Sequence, residues 1–200
     1  TCNAIAHCGA QPVFCDVDRA TMGLSPEAVA DWLDANARRG DDGTARRIRD
    51  GAIIRACVPM HTFGHSMRIT ALQEVCADWG IAIVEDAAES LGSICEGKHL
   101  GTFGQIGTQS FNGNKILTTG GGGMILSDNR TGARAKHLTT TAKIPHAWNF
   151  GHDAVAWNFR MPNLNAALGV AQLEQLPKFL SAKRKIADTY KIALSAFFSP

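Results

Sequence analysis

Between Ser110 and Lys115, a hydroxyl, a short loop and an amine lie within six residues of one another. A hydroxyl can bind a phosphate group, and an amine can form a Schiff base with a carbonyl compound. A lysine becomes nucleophilic when burial or a neighbouring charge lowers its pKa. Lys115 lies between an apolar run and the glycines Gly120–Gly123, with no acidic residue near it in sequence. We therefore take it as a candidate nucleophile; the alternative is an ordinary surface lysine.

Asp86 is the second candidate group, in the run Glu85–Glu89 that follows another apolar segment. Ligands of open α/β sheets bind at the carboxyl ends of the strands. A carboxylate placed there can hold a protonated ring nitrogen. Taken alone, the residue type favours the alternative that Asp86 caps a following helix, because aspartate is a preferred N-cap.

The four consecutive glycines Gly120–Gly123 invite comparison with phosphate-binding loops. Neither Lys-Ser nor Lys-Thr follows them, and the next segment is typical of a strand rather than a helix. We therefore predict a tight turn that allows close backbone approach. No G-x-G-x-x-G follows the early apolar runs, which disfavours a Rossmann-type oxidoreductase.

Short apolar runs alternate with helical patterns along the chain. The predicted strands are Pro12–Val17, Ala52–Met60, Ile81–Val84, Thr108–Phe111 and Gly123–Leu126. The predicted helices are a short one around Ala4, one that starts at Pro26 with Ser25 as its N-cap, Ile69–Trp79, Asn163–Leu176 and Leu180–Ala196. This alternation predicts an α/β fold with a mostly parallel sheet flanked by helices.

The composition is that of an ordinary globular domain, with 45% hydrophobic residues, 19% charged residues and a formal net charge of +2 over 200 residues. These values disfavour a disordered chain and a nucleic-acid-binding surface. The basic stretch Arg38–Arg49 also holds Asp41 and Asp42 and is interpreted as a solvated loop. No apolar run reaches the roughly 18 residues of a membrane span, so we expect no membrane association.

Six cysteines are present without a C-x-x-C pair, which is typical of buried or half-buried free thiols in the reducing cytosol. We therefore expect a cytoplasmic protein. A zinc site from Cys2, His7 and Cys8 is an alternative, but the spacing is not typical, and we predict no metal. The chain begins at Thr1 without methionine, shows no signal peptide and stops at Pro200 directly after a helical pattern. We expect it to be a fragment.

Four motifs together resemble a known family, the DegT/DnrJ/StrS-type nucleotide-sugar aminotransferases, which are fold type I pyridoxal phosphate (PLP) enzymes like aspartate aminotransferase. In order, they are Glu85–Glu89, Ser110-Phe111-x-x-x-Lys115, Gly120–Met124 and Asn158–Met161. The resemblance covers nearly the whole chain. It implies a three-layer α/β/α arrangement with residues 1–176 in the PLP-binding large domain. Residues 177–200 would begin the long helix that leads to a C-terminal small domain.

The resemblance also implies residue roles. Lys115 would bind pyridoxal 5'-phosphate covalently and move the proton in catalysis, and Asp86 would pair with the pyridine nitrogen. Ser110 would bind the cofactor phosphate, and Asn158 would reach the phosphate in the neighbouring subunit of a homodimer with shared active sites. Glu89 stands where many members carry Gln near the ring's phenolic oxygen. A carboxylate there would repel the phenolate unless it is protonated or bridged by water.

The implied reaction transfers an amino group from glutamate to a 4-keto-6-deoxy nucleotide sugar, for a bacterial surface polysaccharide or glycan. The segments Ser110–Lys115, Leu138–Lys143 and Met161–Asn163 resemble the branch acting on UDP-linked sugars. Around Asn158 the chain reads Ala-Trp-Asn-Phe-Arg-Met where the family has Gly-Tyr-Asn-Tyr-Arg-Met, so the aromatic shape is kept but both tyrosine hydroxyls are lost.

Two alternatives within the same fold stay open. Sugar dehydratases of the family carry His in place of Lys115, so this lysine disfavours them. A non-catalytic PLP-fold domain has no chemical need of Lys115, Asp86 and Ser110 together. The family's first phosphate-binding loop lies upstream of Thr1 and its small domain lies beyond Pro200. We therefore expect these 200 residues alone to be inactive and to bind PLP poorly.

Overall fold

The structure, a computed structural model, describes residues 1–197. The helices are α1 (Cys2–His7), α2 (Pro26–Asn36), α3 (Ile69–Asp78), α4 (Asn129–Thr139), α5 (Asn163–Leu173) and α6 (Leu176–Ala193), with short 3₁₀ turns at Thr62–Gly64 and Ser195–Phe197. The strands are β1 (Ala37–Arg39), β2 (Ala45–Arg47), β3 (Ala56–Cys57), β4 (Ala82–Asp86), β5 (Ile94–Cys95), β6 (Lys98–His99), β7 (Ile106–Ser110) and β8 (Gly123–Ser127).

The central sheet has the order β3-β4-β7-β8. Strand β4 pairs in parallel with both β3 and β7, whereas β8 runs antiparallel to β7. The prediction of a mostly parallel sheet within an α/β fold is therefore confirmed. Asp86 pairs with Thr108 in the register of β4 and β7, so the carboxyl ends of these two strands lie at one edge of the sheet.

Helix α2 starts as the sequence predicts. The Ser25 hydroxyl accepts a hydrogen bond of 3.1 Å from the Ala28 N–H, and Pro26 occupies the first turn, where its missing N–H costs nothing. Val29 and Leu33 on the inner face are buried. They belong to a hydrophobic core that also holds Leu72 of α3.

Of the predicted strands, one is absent and another was too long. In Pro12–Val17, pairing is limited to an isolated bridge of Val17 with Leu24, and the Phe14 side chain is 74% exposed, so this apolar run finds no sheet to join. The predicted strand Ala52–Met60 shrinks to β3, followed by an isolated parallel bridge between Met60 and Asp86. Pro59 interrupts the ladder because it has no N–H to donate.

The basic stretch Arg38–Arg49 is largely a β-hairpin, and its interpretation as a loop was wrong outside the turn. Strands β1 and β2 pair antiparallel on either side of the turn at residues 40–43. Ala37 and Ala45 are buried on one side of the hairpin, while Arg46 binds Asp42 at 2.8 Å on the other. In each strand the alanine is buried and the two arginines that follow it are at least partly exposed.

Helix α4 was not predicted, because none of its residues is buried and it carries no apolar stripe. Its N-cap is Asp128, whose carboxylate accepts a hydrogen bond of 2.6 Å from the Thr131 N–H. At the other end of the chain, Pro177 lies in the first turn of α6 rather than between two helices. Proline is tolerated there for the same reason as in α2.

The chain divides into two compact units. Unit 1 comprises Thr1–Ser110 and Gly123–Arg160, and unit 2 comprises Phe111–Gly122 and Met161–Pro200. This division does not follow the predicted boundary between residues 176 and 177, which stays a prediction, and residues 198–200 lie outside the described part of the chain. Helices long and apolar enough to cross a membrane are absent from residues 1–197.

All six cysteines are free: Cys76 is buried, Cys15, Cys57 and Cys95 are half-buried, and Cys2 and Cys8 are exposed. The prediction of free thiols is confirmed, but the two near the amino terminus are exposed rather than buried. Within residues 1–197, no three His, Cys, Asp or Glu side chains are grouped as a metal site would require.

Candidate active site

Asp86 is the last residue of β4 and is half-buried. Its carboxylate accepts a hydrogen bond of 2.5 Å from the Thr1 hydroxyl and one of 3.3 Å from the Ala88 N–H. The segment after β4 is a turn rather than a helix, so Asp86 is not a helix cap. A carboxylate has about four acceptor positions, so Asp86 can also pair with a cationic N–H group.

Ser110 is the last residue of β7, the strand beside β4, and is half-buried. Because the two strands are parallel, unit 1 brings Asp86 and Ser110 to the same edge of the sheet, as the sequence predicts. Thr108 pairs with Asp86, and its hydroxyl donates a hydrogen bond of 3.2 Å to the carbonyl oxygen of Glu85. This bond ties the ends of the two strands together.

Glu89 lies in the turn after β4 and is exposed. The carbonyl oxygen of Glu89 packs against Gly64, where any Cβ atom would collide with it, and Gly64 has a positive φ of +80°. Glycine is therefore required at position 64. Ser90, the next residue, is buried.

Lys115 lies in unit 2, on the loop Phe111–Gly122, and is half-buried. Its N–H donates a hydrogen bond of 3.1 Å to the carbonyl oxygen of Asn112, which closes a turn directly before the lysine. On either side of that turn the loop is anchored by buried side chains, Phe111 and Leu117. The lysine is thus carried on a loop that is packed down on both sides.

Helix α5 fixes the same loop through two amide side chains that the sequence analysis did not identify. Gln172 accepts a hydrogen bond of 2.9 Å from the Thr118 N–H and donates one of 2.8 Å to the Thr118 carbonyl oxygen. Asn165 donates a hydrogen bond of 2.5 Å to the carbonyl oxygen of Thr119. Their sequence signal is weak, because glutamine and asparagine on a helix are ordinarily surface residues.

The glycines after Thr119 form the predicted tight turn. Gly120 and Gly122 have positive φ values of +78° and +90°, which other residues rarely adopt. The Phe111 N–H donates a hydrogen bond of 3.0 Å to the Gly122 carbonyl oxygen, which closes the loop at its base.

Asn158 lies in unit 1 on an exposed segment that pairs with the end of α4. It forms an isolated antiparallel bridge with Thr140, and its two neighbours, Trp157 and Phe159, stack their rings with centroids 6.1 Å apart. The N-cap position of α5 is held by Pro162, four residues further along the chain.

Two histidines fasten the segment before Asn158, one to α4 and one to the residues just after α4. His137 binds Asp153 at 2.7 Å, and the ring of His152 binds the Thr141 carbonyl oxygen at 2.7 Å. The hydrogen bond from His137 lowers the pKa of the Asp153 carboxyl. Both links hold the exposed segment in place from the side of the helix.

The chemistry of these groups fits PLP. The cofactor presents a basic ring nitrogen, a phosphate and an aldehyde, and the chain offers a carboxylate, a hydroxyl and an amine. Asp86 and Ser110 lie at the ligand edge of the sheet in unit 1, and Lys115 follows Ser110 by five residues in the sequence. Each group that the cofactor presents therefore has a chemically matched residue in the chain.

The fold is that of the fold type I PLP-dependent aminotransferases, the class to which its solved structural neighbours belong. The aminotransferase TlmJ from Streptoalloteichus hindustanus has 34% sequence identity and a TM-score of 0.81, covering 97% of this chain and 48% of that one. The sequence profile of the DegT/DnrJ/EryC1/StrS aminotransferase family matches residues 1–198. The chain belongs to this family, which is PLP-dependent, as the motifs predicted.

Two relatives show the similarity along the sequence. EpsN of Bacillus subtilis strain 168, provisionally named a pyridoxal phosphate-dependent aminotransferase, is 36% identical over 97% of this chain and 47% of its own length. GDP-perosamine synthase of Vibrio cholerae is 35% identical over 96% of this chain and 48% of its own length. The chain thus spans about half the length of the curated relatives that it matches.

Proposed function

We propose that the full-length protein is a PLP-dependent aminotransferase that moves an amino group from glutamate to a 4-keto-6-deoxy nucleotide sugar. The observation that carries the proposal is the placement of Asp86 and Ser110 at neighbouring strand ends, in a chain that matches the aminotransferase family over residues 1–198. We place this activity in the cytoplasm and in the assembly of a bacterial surface polysaccharide or glycan. The six free cysteines support a reducing compartment.

Each site residue has one task in this proposal. The Lys115 amine would hold the cofactor and would carry a proton to and from the reacting carbon. Asp86 holds a proton on the ring nitrogen, and Ser110 binds the phosphate. Glu89 would be placed on the side of the ring's phenolic oxygen, and its carboxylate would then need to be protonated or bridged by water. When bound, PLP supplies an electron-withdrawing ring that stabilises negative charge on the substrate carbon.

The proposal also concerns which nucleotide the sugar substrate carries. Resemblance of Ser110–Lys115, Leu138–Lys143 and Met161–Asn163 to one branch of the family favours a UDP-linked sugar. A GDP-linked sugar is the second candidate, because GDP-perosamine synthase of Vibrio cholerae is 35% identical to this chain.

The test is an assay of the purified full-length protein with glutamate and UDP-, GDP- and dTDP-linked 4-keto-6-deoxy sugars. We expect an aminated sugar and 2-oxoglutarate in equal amounts, with the highest kcat/KM for one nucleotide. Visible absorbance of lysine-bound PLP is the accompanying signal, and an oxidoreductase or an empty scaffold would lack it. Formation of a dehydrated sugar without amination would identify the dehydratase alternative instead.

We also propose that the active site is shared between two subunits, with Asn158 reaching the cofactor phosphate of the partner. Exposure of Asn158 on a segment fastened to α4 supports this proposal, because the residue is presented to solvent on a fixed support. At a symmetric dimer interface, each subunit can lend one donor to the other's anion site.

A mixing experiment tests the shared site. Lys115→Ala and Asn158→Asp homodimers should each be nearly inactive, the second because its carboxylate repels the phosphate. Random reassembly of equal amounts gives about half mixed dimers, each with one intact site, so about a quarter of wild-type activity should return. If both residues serve the site of their own chain, every site keeps a lesion. Absence of recovery after verified subunit exchange would therefore contradict the shared site.

A further inference from the structure

His61 and Glu85 form a fully buried pair that the proposed reaction does not use. The His61 Nε2 lies 2.9 Å from the Glu85 Oε2, and both side chains have 0% exposure. A buried carboxylate is costly unless hydrogen bonds compensate for its lost hydration. Glu85 immediately precedes Asp86 in β4, so the pair lies directly behind the residue proposed to hold the ring nitrogen.

The Glu85 carboxylate is satisfied on both oxygens. Oε2 accepts hydrogen bonds from His61 and from the Gly101 N–H at 2.8 Å. Oε1 accepts from the N–H groups of Phe103 and Gly104, both at 2.6 Å. Burial alone would raise the pKa of Glu85, but hydrogen bonds from His61, Gly104 and Gly101 outweigh it and lower the pKa. Glu85 is therefore a buried carboxylate anion with four donors.

The hydrogen bonds assign the tautomer of His61. The Met67 N–H points to the Nδ1 of His61 at 3.4 Å, so Nδ1 is the acceptor. The hydrogen of the neutral ring is then on Nε2 and is donated to Glu85. His61 thus joins two chain segments, since it accepts from the turn at Met67 and donates to β4.

The main chain around His61 also holds Asp86 directly. The Asp86 N–H donates to the Pro59 carbonyl oxygen at 2.8 Å, and the His61 N–H donates to the Asp86 carbonyl oxygen at 3.1 Å. The main-chain N–H and C=O of Asp86 are therefore both hydrogen-bonded to the segment Pro59–His61. The His61 side chain fixes that segment to the preceding residue, Glu85.

The turn that follows His61 reaches the other end of the site. Phe63 has a φ of +53°, which is strained for a residue with a side chain, and Gly64 packs against the carbonyl oxygen of Glu89. The segment His61–Gly64 therefore contacts Asp86 at its start and Glu89 at its end.

We propose that His61 is a positioning residue of the cofactor site, which acts through Glu85 and the segment Pro59–His61 to hold Asp86 at the ring nitrogen. This inference rests on the proposed function of Asp86. Without the bond to Glu85, the segment loses its link to β4, and the Asp86 carboxylate shifts. A small displacement of a group that must meet a partner in fixed geometry weakens the interaction strongly.

Two substitutions separate the two links of the imidazole. His61→Asn places an amide oxygen near the position of Nδ1, so it keeps an acceptor for Met67 but is too short to reach Glu85. His61→Gln places an amide N–H near the position of Nε2, so it keeps the donor to Glu85. The readout is the ¹⁵N chemical shift of ring-labelled PLP bound to the full-length protein, which reports protonation of the ring nitrogen.

We expect His61→Gln to match the wild type in ring protonation and PLP affinity. His61→Asn should lower the protonated fraction, raise the Kd for PLP about tenfold and reduce kcat more than it raises KM. Leu72→Ala is the matched control, because Leu72 is fully buried in α3 within the hydrophobic core. This control should lower the Tm while leaving the ¹⁵N shift unchanged.

The inference is overturned if His61→Asn lowers only the Tm, or if His61→Gln shifts the ring signal as much as His61→Asn does. If His61→Asn fails to fold, the inference is tested instead by NMR of the wild-type protein labelled with ¹⁵N-histidine. The His61 Nε2–H signal is assigned by its loss in His61→Gln. If His61 influences PLP binding, PLP binding must influence His61 equally, so this signal should differ between the PLP-loaded and the PLP-free protein. An unchanged signal overturns the inference.

Asp86→Ala separates this inference from the proposed function. If Asp86→Ala leaves the ring nitrogen protonated, the proposed role of Asp86 itself is wrong. If Asp86→Ala removes the proton and His61→Asn does not, only the positioning role of His61 is wrong.

Discussion

Lys115→Ala in the full-length protein is expected to remove the visible absorbance of lysine-bound PLP and to reduce transamination on the order of 10⁴-fold, the upper end of the range for a general acid–base group. The amine both attaches the cofactor and moves the proton, and alanine can do neither. Absorbance spectra of the reconstituted protein and initial rates with glutamate measure the two effects separately.

The matched control for Lys115→Ala is Lys183→Ala, which removes an exposed lysine of α6. It should leave both the spectrum and the rate as in the wild type. A small primary amine added to Lys115→Ala should restore part of the rate, because it can carry the proton in place of the side chain. Normal turnover by the folded Lys115→Ala protein would show that Lys115 is a surface lysine and that the proposed chemistry is wrong.

The contacts that hold the Lys115 loop show how much of such a site a sequence can predict. The spacing from Ser110 to Lys115 and the glycines after it were sufficient to predict a loop and a turn. The amide pair of Gln172 with Thr118 lies 54 positions apart in sequence and leaves no local pattern. Side chains that bind distant main-chain groups become visible only when the fold brings the two together.

The helices and strands also differ in how well the sequence predicts them. Strand β4 was predictable because it begins with a short apolar run, Ala82–Val84. Segment Pro12–Val17 has a similar composition but no neighbouring strand, and Phe14 is exposed instead. Strand formation depends on a partner as well as on propensity. Helix α4 was missed for the opposite reason, because its capping residue Asp128 signals a helix while its composition gives no apolar face.

Glu85 is the clearest case of a residue whose surroundings the sequence could not reveal. It stands in the motif Glu85–Glu89, where any of the acidic residues could have faced the ligand. In the structure it is fully buried among the N–H groups of Gly101, Phe103 and Gly104, so it faces the protein interior. Strand alternation then directs the next residue, Asp86, to the opposite face, which leaves it available to a ligand.

Asp86→Ala is expected to reduce turnover on the order of 10²-fold or more, with little effect on folding. Loss of the carboxylate lets the ring nitrogen lose its proton, so negative charge on the substrate carbon is poorly stabilised. The residue is half-buried at the end of β4 and caps no helix, so its removal deprives the fold of little more than the bonds from Thr1 and Ala88. Rates and thermal denaturation of the full-length variant measure the two effects.

Asp86→Asn is the matched control, because the amide keeps the shape and one acceptor oxygen but not the charge. It should remain as stable as the wild type while its turnover falls nearly as far as that of Asp86→Ala, since the charge is what holds the proton. Near-normal turnover with a clear loss of Tm in both variants would mean that Asp86 serves the fold alone. The two substitutions together therefore distinguish the charge of Asp86 from its hydrogen bonds to Thr1 and Ala88.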